Sequence, residues 1–489
     1  MKKNKKIIII VFGLLIFIGI TLAYVVGQIS DGALGNANIT ADTTDNLQFS
    51  VDKDISLNPT QFNVPEGGGG LSDTAVGTAT LLANSTNKTA TYDYYVYFNI
   101  KSNNYTYTTE EQKPEIVLTI TDPTGEAVTS IEGLTYITTQ NADGSEVKGF
   151  DITTKSDIFN VTSNYEITSN SSTDATVQDW TFTVTFINLT TNQSDNGGST
   201  LDAEIILSKD EKYTLANYII NKVYVEDGVN GLYCHDGQGN YENAELEAED
   251  NSYRYAGANP NNYVCFGSND ETCPEENLYR IIGVFENQVK LIKNSNYLNL
   301  PWDESDPEFG FPYGSNEWNN STLKENLNNN YLKNLGYYSK FIYDNTSWIL
   351  GEISTSNLTP KDVYLLETGK NTNAINVQTD KGLIGLMYVS DYGYAASPTY
   401  WTYVFHDATG VNQDYRDAIT ENWLYSGKSE WTLTIDSNTN SNVYSLYGSG
   451  KVDRNGARNA FMIRPVMFLK NNVIYISGTG TSTDPYRIA

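Results

Sequence analysis

The chain has 489 residues, with 59 acidic and 31 basic side chains and a net charge of −28 at pH 7. That length exceeds what one hydrophobic core organises, so two or more domains are expected. The acidic excess repels a phosphate backbone and argues against nucleic acid as a partner; it suits a solvated surface or, in a sharper reading, a cation-dependent assembly.

Lys2, Lys3, Lys5 and Lys6 precede an apolar run that begins at Ile7 and closes at Val26. Such a run crosses a hydrocarbon core of about 30 Å. The lysines favour the cytoplasmic side, which places residues 28–489 outside the cell. Cleavage after Thr21-Leu22-Ala23 would leave a secreted protein. The run continues through Tyr24-Val25-Val26, which favours an uncleaved, single-pass anchor.

Composition breaks near residues 208–228. All seven arginines lie between Arg254 and Arg487, and the three cysteines and both histidines lie beyond residue 230. The expected order is a cytoplasmic and transmembrane segment (1–27), a β-sandwich stalk (28–210), a connecting helix with a cysteine-containing loop (211–274) and an α+β head (275–489).

Residues 38–210 read as β. WTFTVTF, from Trp180, alternates large apolar residues with threonine, so one face is buried. YYVYFNI, from Tyr94, and IVLTI, from Ile116, suit a pleated, half-buried surface. Turn chemistry stands at Asp122-Pro123-Thr124-Gly125, Asn141-Ala142-Asp143-Gly144 and Asn196-Gly197-Gly198, with a flexible loop at Gly67-Gly68-Gly69-Gly70. The pattern predicts an antiparallel, immunoglobulin-like sandwich with its carboxylates on solvent faces. It has no cysteine to staple it. A Lys–Asn isopeptide bond is an alternative staple, with Lys53, Lys88, Lys101, Lys113, Lys148, Lys155 and Lys209 as candidates.

Residues 211–225 place Leu215, Tyr218, Ile219 and Val223 at helical spacing, and a polar loop follows from Asp236 to Asp250. In an oxidising compartment one disulfide fits three cysteines. Cys265–Cys273 closes the shortest loop, and Cys234 pairing with either remains open. The spacing fits no zinc finger, so no metal or cofactor is expected.

From Tyr279 the pattern is α+β. YRIIGVF, Glu286-Asn287 and QVKLIK form a hairpin. Thr322-Leu323-Lys324-Glu325 reads as a capping box, followed by Leu323, Leu327, Leu332 and Leu335 on one helix face. Val363–Leu366 and Leu383–Val389 are expected as core strands, with Ser390 or Asp391 capping a short helix. A last strand pair is expected at Phe461–Leu469 and Asn472–Ile476.

These boxes carry a resemblance. Trp318-Asn319-Asn320-Ser321-Thr322-Leu323-Lys324 with Leu327-Asn328, then Asp362-Val363-Tyr364-Leu365-Leu366, then Ile463-Arg464-Pro465-Val466 through Leu469, resemble the W-x-x-S-x-L … R-P-x-x-x-L pattern of a bacterial surface-protein family of unknown function. That domain is distantly similar to the fold of formylglycine-generating enzymes and C-type lectins. The resemblance spans roughly residues 275–476 and implies a lectin-like α+β fold, with Trp318 and Arg464 structural. Lys324 stands where the family has arginine, and Met462 where it has glycine. The copper-binding cysteine pair of the oxidase-type enzymes is missing after Cys273.

Tyr400, Trp401 and Tyr403 offer a stacking face for a sugar or peptide. His406 stands beside Asp407, without a marked nucleophile. Asp436–Asn442 has oxygen donors at alternate positions but lacks the glycine and glutamate of a calcium loop. Tyr447-Gly448-Ser449-Gly450-Lys451 lacks phosphate-loop spacing. Arg454 and Arg458 are candidates for an anionic ligand, while Arg464, in an apolar run, is expected to pair with a buried carboxylate. The expectation is a membrane-anchored extracellular binding or adhesion protein, its ligand a glycan or protein. An extracytoplasmic hydrolase-like enzyme and a structural, pilus-like subunit are the alternatives.

Overall fold

The computed structural model describes residues 46–59, 64, 66–84, 89–224, 231–304, 314–353, 357–370, 378–405 and 413–489. The run from Ile7 to Val26 and the His406-Asp407 pair lie outside them. Among the described residues no helix is long and apolar enough to cross a membrane. The chain divides into two units between Lys212 and Tyr213.

The first unit is a sandwich of two antiparallel sheets. Its strands are β1 (Asn46–Val51), β2 (Ile55–Leu57), β3 (Leu71–Leu82), β4 (Ala90–Asn103), β5 (Ile116–Thr121), β6 (Thr135–Gln140), β7 (Glu146–Asp151), β8 (Ile158–Ser169), β9 (Thr176–Phe186) and β10 (Leu201–Ser208). One sheet runs β1-β3-β9-β5-β7-β6 and the other β2-β10-β4-β8. On β9, Trp180, Phe182 and Val184 point inward, while Thr183 pairs outward with Thr74 at 2.9 Å. Phe98 of β4 stacks on Phe182 of β9 across the sheets, centroids 5.7 Å apart. The Trp180 indole donates to Tyr94 Oη at 2.9 Å, so the buried N–H is satisfied.

Two expectations fail in this unit. Gly70 is not free: a Cβ there would meet the Phe186 carbonyl oxygen at 2.2 Å, so the glycine permits a close backbone approach. Nor do all carboxylates face water. Glu115 is fully buried and accepts from Thr108 N, Asn196 Nδ2 and Gln193 Nε2 at 2.6, 2.7 and 2.8 Å. None of the described isopeptide lysines is buried. Lys53 pairs with Asp73, Lys101 with Asp54 and Glu204, and Lys148 with Glu146.

The second unit starts with β11 (Leu232–Cys234), β12 (Tyr253–Tyr255), β13 (Tyr263–Cys265), β14 (Leu278–Phe285), β15 (Gln288–Lys293), β16 (Leu298–Pro301), β17 (Ser347–Leu350), β18 (Glu352–Ile353) and β19 (Gln378–Lys381). It ends with β20 (Glu430–Asp436), β21 (Asn442–Leu446), β22 (Val452–Gly456), β23 (Ala460–Ile463), β24 (Val466–Phe468), β25 (Tyr475–Ser477) and β26 (Arg487–Ile488). One sheet orders β11-β12-β14-β15-β24, with β13 also on β14; another orders β16-β23-β20-β21-β22, with β18 on β20. Trp302, Trp318, Trp348 and Trp431 fill the common core. Glu286 and Asn287 adopt left-handed φ of 49° and 65° at the β14–β15 turn, the geometry of a two-residue hairpin.

Of residues 211–274, expected as a connection, all from Tyr213 onward are part of this unit. Leu215, Ala216 and Ile219 are buried in its core, and β11, β12 and β13 are strands of its sheet. Asp236 to Asp250 is no simple polar loop either. It wraps the buried Glu247 carboxylate, which accepts from Gly237 N at 2.5 Å and Tyr241 Oη at 2.6 Å.

Local rules explain the remaining corrections. Ser321, not Thr322, caps the helix Thr322–Asn326, accepting from Lys324 N at 3.2 Å. Thr322 Oγ1 accepts instead from Glu304 N. The expected strand at Val363–Leu366 is the helix Pro360–Glu367, started by a Thr359–Asp362 capping box with Pro360 in its first turn. Its apolar run was too short to distinguish strand from helix. The expected strand through Val389 ends earlier: Gly385 bridges Val466, and the helix Val389–Tyr394 begins. Neither Ser390 nor Asp391 is its N-cap residue. Tyr388 is, and the Asp391 carboxylate accepts from Tyr388 N at 2.8 Å. The run from Phe461 to Leu469 serves two sheets. Pro465, with no N–H to donate, separates β23, which pairs with β16, from β24, which pairs with β15. Asn472–Ile476 does not pair with that run; β25 pairs with β26.

Candidate functional site

The expected aromatic face divides. Tyr400 and Tyr403 are half-buried and meet edge to face, centroids 5.0 Å apart. Trp401 turns the other way and is fully buried against Ala248, Ala256, Tyr364 and Tyr394, its indole donating to the Ala396 carbonyl at 3.1 Å. Consecutive side chains on a tight turn point to different sides, so adjacency in sequence did not give adjacency on the surface. Trp401 is a core residue and leaves the candidate ligand set.

Acidic and hydroxyl groups rim the tyrosine pair. Thr399 is exposed and donates to Glu242 Oε2 at 3.0 Å. The Glu421 backbone carbonyl accepts from Ser397 N at 2.9 Å. Burial, then the Glu421 carboxylate, push the Tyr400 hydroxyl above its ordinary pKa. The face therefore presents two ring edges with carboxylates and hydroxyls, a set suited to sugar hydroxyls or a polar peptide.

The arginines separate as well. Arg454 is half-exposed on β22 with Nη1 3.5 Å from the buried Asp436 Oδ1. Asp436 also accepts from Asn438 Nδ2 at 2.9 Å. A cation already faces this carboxylate, and among the described residues no cluster of three or more His, Cys, Asp or Glu is placed to hold a metal ion. Arg458 is exposed in the turn after β22. Arg464 is buried and donates through Nε to Glu430 Oε2 at 2.7 Å and through Nη2 to the Leu424 carbonyl at 2.6 Å. Trp318 is buried against Trp302, centroids 5.2 Å apart. Cys265 and Cys273 are disulfide-bonded, and Cys234 is a free thiol.

Sequence reading missed a buried polar chain behind this surface. Asp250 accepts from Arg254 Nη2 at 2.6 Å, Ser252 Oγ at 2.5 Å and Tyr364 Oη at 2.9 Å. Against the cost of its burial, Arg254 and the hydroxyl donors hold Asp250 far below the usual carboxylate range. The Arg254 guanidinium lies over the rings of Phe285, Tyr394 and Tyr364, at 4.7, 5.1 and 5.2 Å. Lys290 pairs with Asp391 at 2.6 Å, both buried. Glu367 accepts from Val389 N at 3.0 Å and from the Thr434 hydroxyl, and burial pushes its carboxyl up to about 7. His235 is fully buried; its Nδ1 accepts from Ala248 N at 3.0 Å, so the neutral ring carries its proton on Nε2. Its ring meets Tyr394 edge-on at 4.7 Å, and burial holds its pKa well below the ordinary value. Because Asp250 with Arg254, Lys290 with Asp391 and Glu367 with Thr434 are enclosed and paired, they brace the fold behind the tyrosine face. Lys290, a single charge inside the apolar run from Val289 to Ile292, was a local hint of them.

No protein-family model matches the chain, and no curated protein matches its sequence.

Proposed function

We propose that the chain is a membrane-anchored binding or adhesion protein of a bacterial cell surface. In this reading Ile7 to Val26 anchors it, an immunoglobulin-like sandwich is its stalk, and a lectin-like α+β head of the W-x-x-S-x-L … R-P-x-x-x-L family carries its ligand face. The observation that carries the reading is the half-buried Tyr400–Tyr403 pair rimmed by Thr399 and Glu421. Such rings supply amphipathic contact area at low entropic cost, the chemistry of recognition. The Cys265–Cys273 disulfide supports an oxidising, extracytoplasmic location.

The test is binding of the detergent-solubilised full-length chain to arrays of glycans, matrix proteins and peptidoglycan fragments. Tyr400→Ala with Tyr403→Ala is expected to weaken the positive signal about tenfold or more, as loss of two aromatic anchors does, with an unchanged melting temperature. An array without any positive signal, or one indifferent to the double substitution, refutes the reading.

A further inference from the structure

Arg280, on β14, is a buried charge with no ion pair among the described residues. Its side chain is buried, 6% exposed, between the rings of Tyr263 and Trp423, 4.3 and 4.5 Å from the guanidinium carbon. Nε donates to Asn262 Oδ1 at 2.7 Å. The outer nitrogens have only long contacts with neutral oxygens: Nη1 with the Trp423 carbonyl at 3.4 Å, and Nη2 with the Pro260 carbonyl at 3.2 Å and Asn259 Oδ1 at 3.3 Å. A guanidinium has five N–H groups, so this set leaves one unfilled.

Among the described residues no carboxylate forms an ion pair with Arg280. The Glu430 carboxylate is already taken by Arg464 and Ser426. Burial, partly offset by Tyr263, and the like charge of Arg464 pull the Arg280 pKa down to about 10. The chain carries 28 surplus negative charges, yet among the described residues none of its carboxylates reaches this buried cation. Leaving a buried charge uncompensated is costly unless something pairs with it.

The geometry of the site selects the partner. Two rings pack against the guanidinium, and its weakly bonded groups are Nη1 and Nη2, so an acceptor is best met along the edge carrying them. Asn262 is fixed, donating through Nδ2 to the Ile281 carbonyl at 2.8 Å. Asn259 is exposed, and its side chain meets Arg280 only through the long 3.3 Å contact, in a loop that follows Gly257 at φ 105°. Displacing it opens the edge to a planar, bidentate acceptor, the match that carboxylates make with arginine. The surroundings point to a sugar. Residues Glu421, Asn422 and Trp423 join this site to the tyrosine face: Glu421 neighbours Tyr400, Asn422 bridges Gly257 and Ala396, and Trp423 lies on Arg280.

We propose that the outer edge of Arg280, screened by Asn259, binds the carboxylate of an acidic sugar. This goes beyond the tyrosine face and does not require it. The test uses the full-length chain and thermal melting at constant ionic strength, with sodium glucuronate as probe and glucose, acetate and phosphate as comparators. Glucuronate raises the melting temperature, acetate raises it less, and glucose leaves it unchanged. Arg280→Gln abolishes the rise. Asn259→Asp supplies the carboxylate internally, so it raises the melting temperature without ligand and weakens the glucuronate response about tenfold or more, since the charged pair is then already made. That variant keeps the test decisive where Arg280→Gln fails to fold. Equal shifts with glucose and glucuronate, no shift with either, or a wild-type response in Asn259→Asp overturns the proposal. A Tyr400→Ala, Tyr403→Ala protein that loses array binding yet keeps its glucuronate shift separates this site from the tyrosine face.

Discussion

Arg464 and Glu430 show how a single buried pair constrains this protein. Each is nearly inaccessible, and the Leu424 carbonyl and Ser426 hydroxyl complete their hydrogen bonds. Arg464→Met removes one charge and strands the other, so urea unfolding should report a loss of about 3–5 kcal/mol. Adding Glu430→Leu should recover most of it, because the stranded charge is then gone. Glu367 makes a different prediction. Its folded pKa of about 7 lies above the ordinary glutamate value of 4.5, so between the two the folded state holds a proton that the unfolded state has lost. The stabilisation is complete below 4.5 and disappears as pH rises to 7, a cost on the order of 3 kcal/mol. The stability difference between wild type and Glu367→Gln, followed by urea midpoints from pH 4.5 to 7.5, should fall by that amount. His235 acts in the opposite sense: its lowered pKa makes stability decline as pH falls below 6.5.

Elements in the second unit are set by their ends. The helix Thr322–Asn326 begins at Ser321, whose hydroxyl accepts from Lys324 N. Ser321→Ala should cost about 1 kcal/mol in chemical unfolding, with a smaller loss for Thr322→Ala; the reverse order would contradict this cap. The helix Pro360–Glu367 has the stronger start, a reciprocal Thr359–Asp362 box with proline in the first turn. It also carries Tyr364 and Glu367 inward to Asp250 and Thr434, so helix placement and the buried polar chain depend on each other. At Pro465 the missing N–H ends one ladder and lets the next three residues enter another sheet.

Each of the two units has its own core, with Phe98 and Phe182 in the first and Trp302, Trp318, Trp348 and Trp431 in the second. Under the proposed topology, trypsin applied to intact cells should remove both units and leave only a short N-terminal fragment. A chain left uncut, with a C-terminal reporter active in the cytosol, would refute the surface location.

Local rules were legible in the sequence because their causes lie a few residues apart. The alternation from Trp180 to Phe186 marked a buried sheet face, and Glu286-Asn287 between two apolar runs marked a hairpin. The β-rich, antiparallel character of the first unit followed from such signals. Short apolar runs such as Val363–Leu366 carried no unique period, and the capping box before them was the better guide. Which side chains meet across the fold was decided by tertiary structure alone. Asp250 finds Tyr364, Lys290 finds Asp391, and Glu367 finds Thr434, over separations that no local pattern encodes. The same holds for the division of Tyr400 and Tyr403 from Trp401, and for the guanidinium of Arg280 held between Tyr263 and Trp423. Periodicity and turn chemistry act along the chain, whereas burial and charge pairing depend on distances that exist only once the sheets have packed.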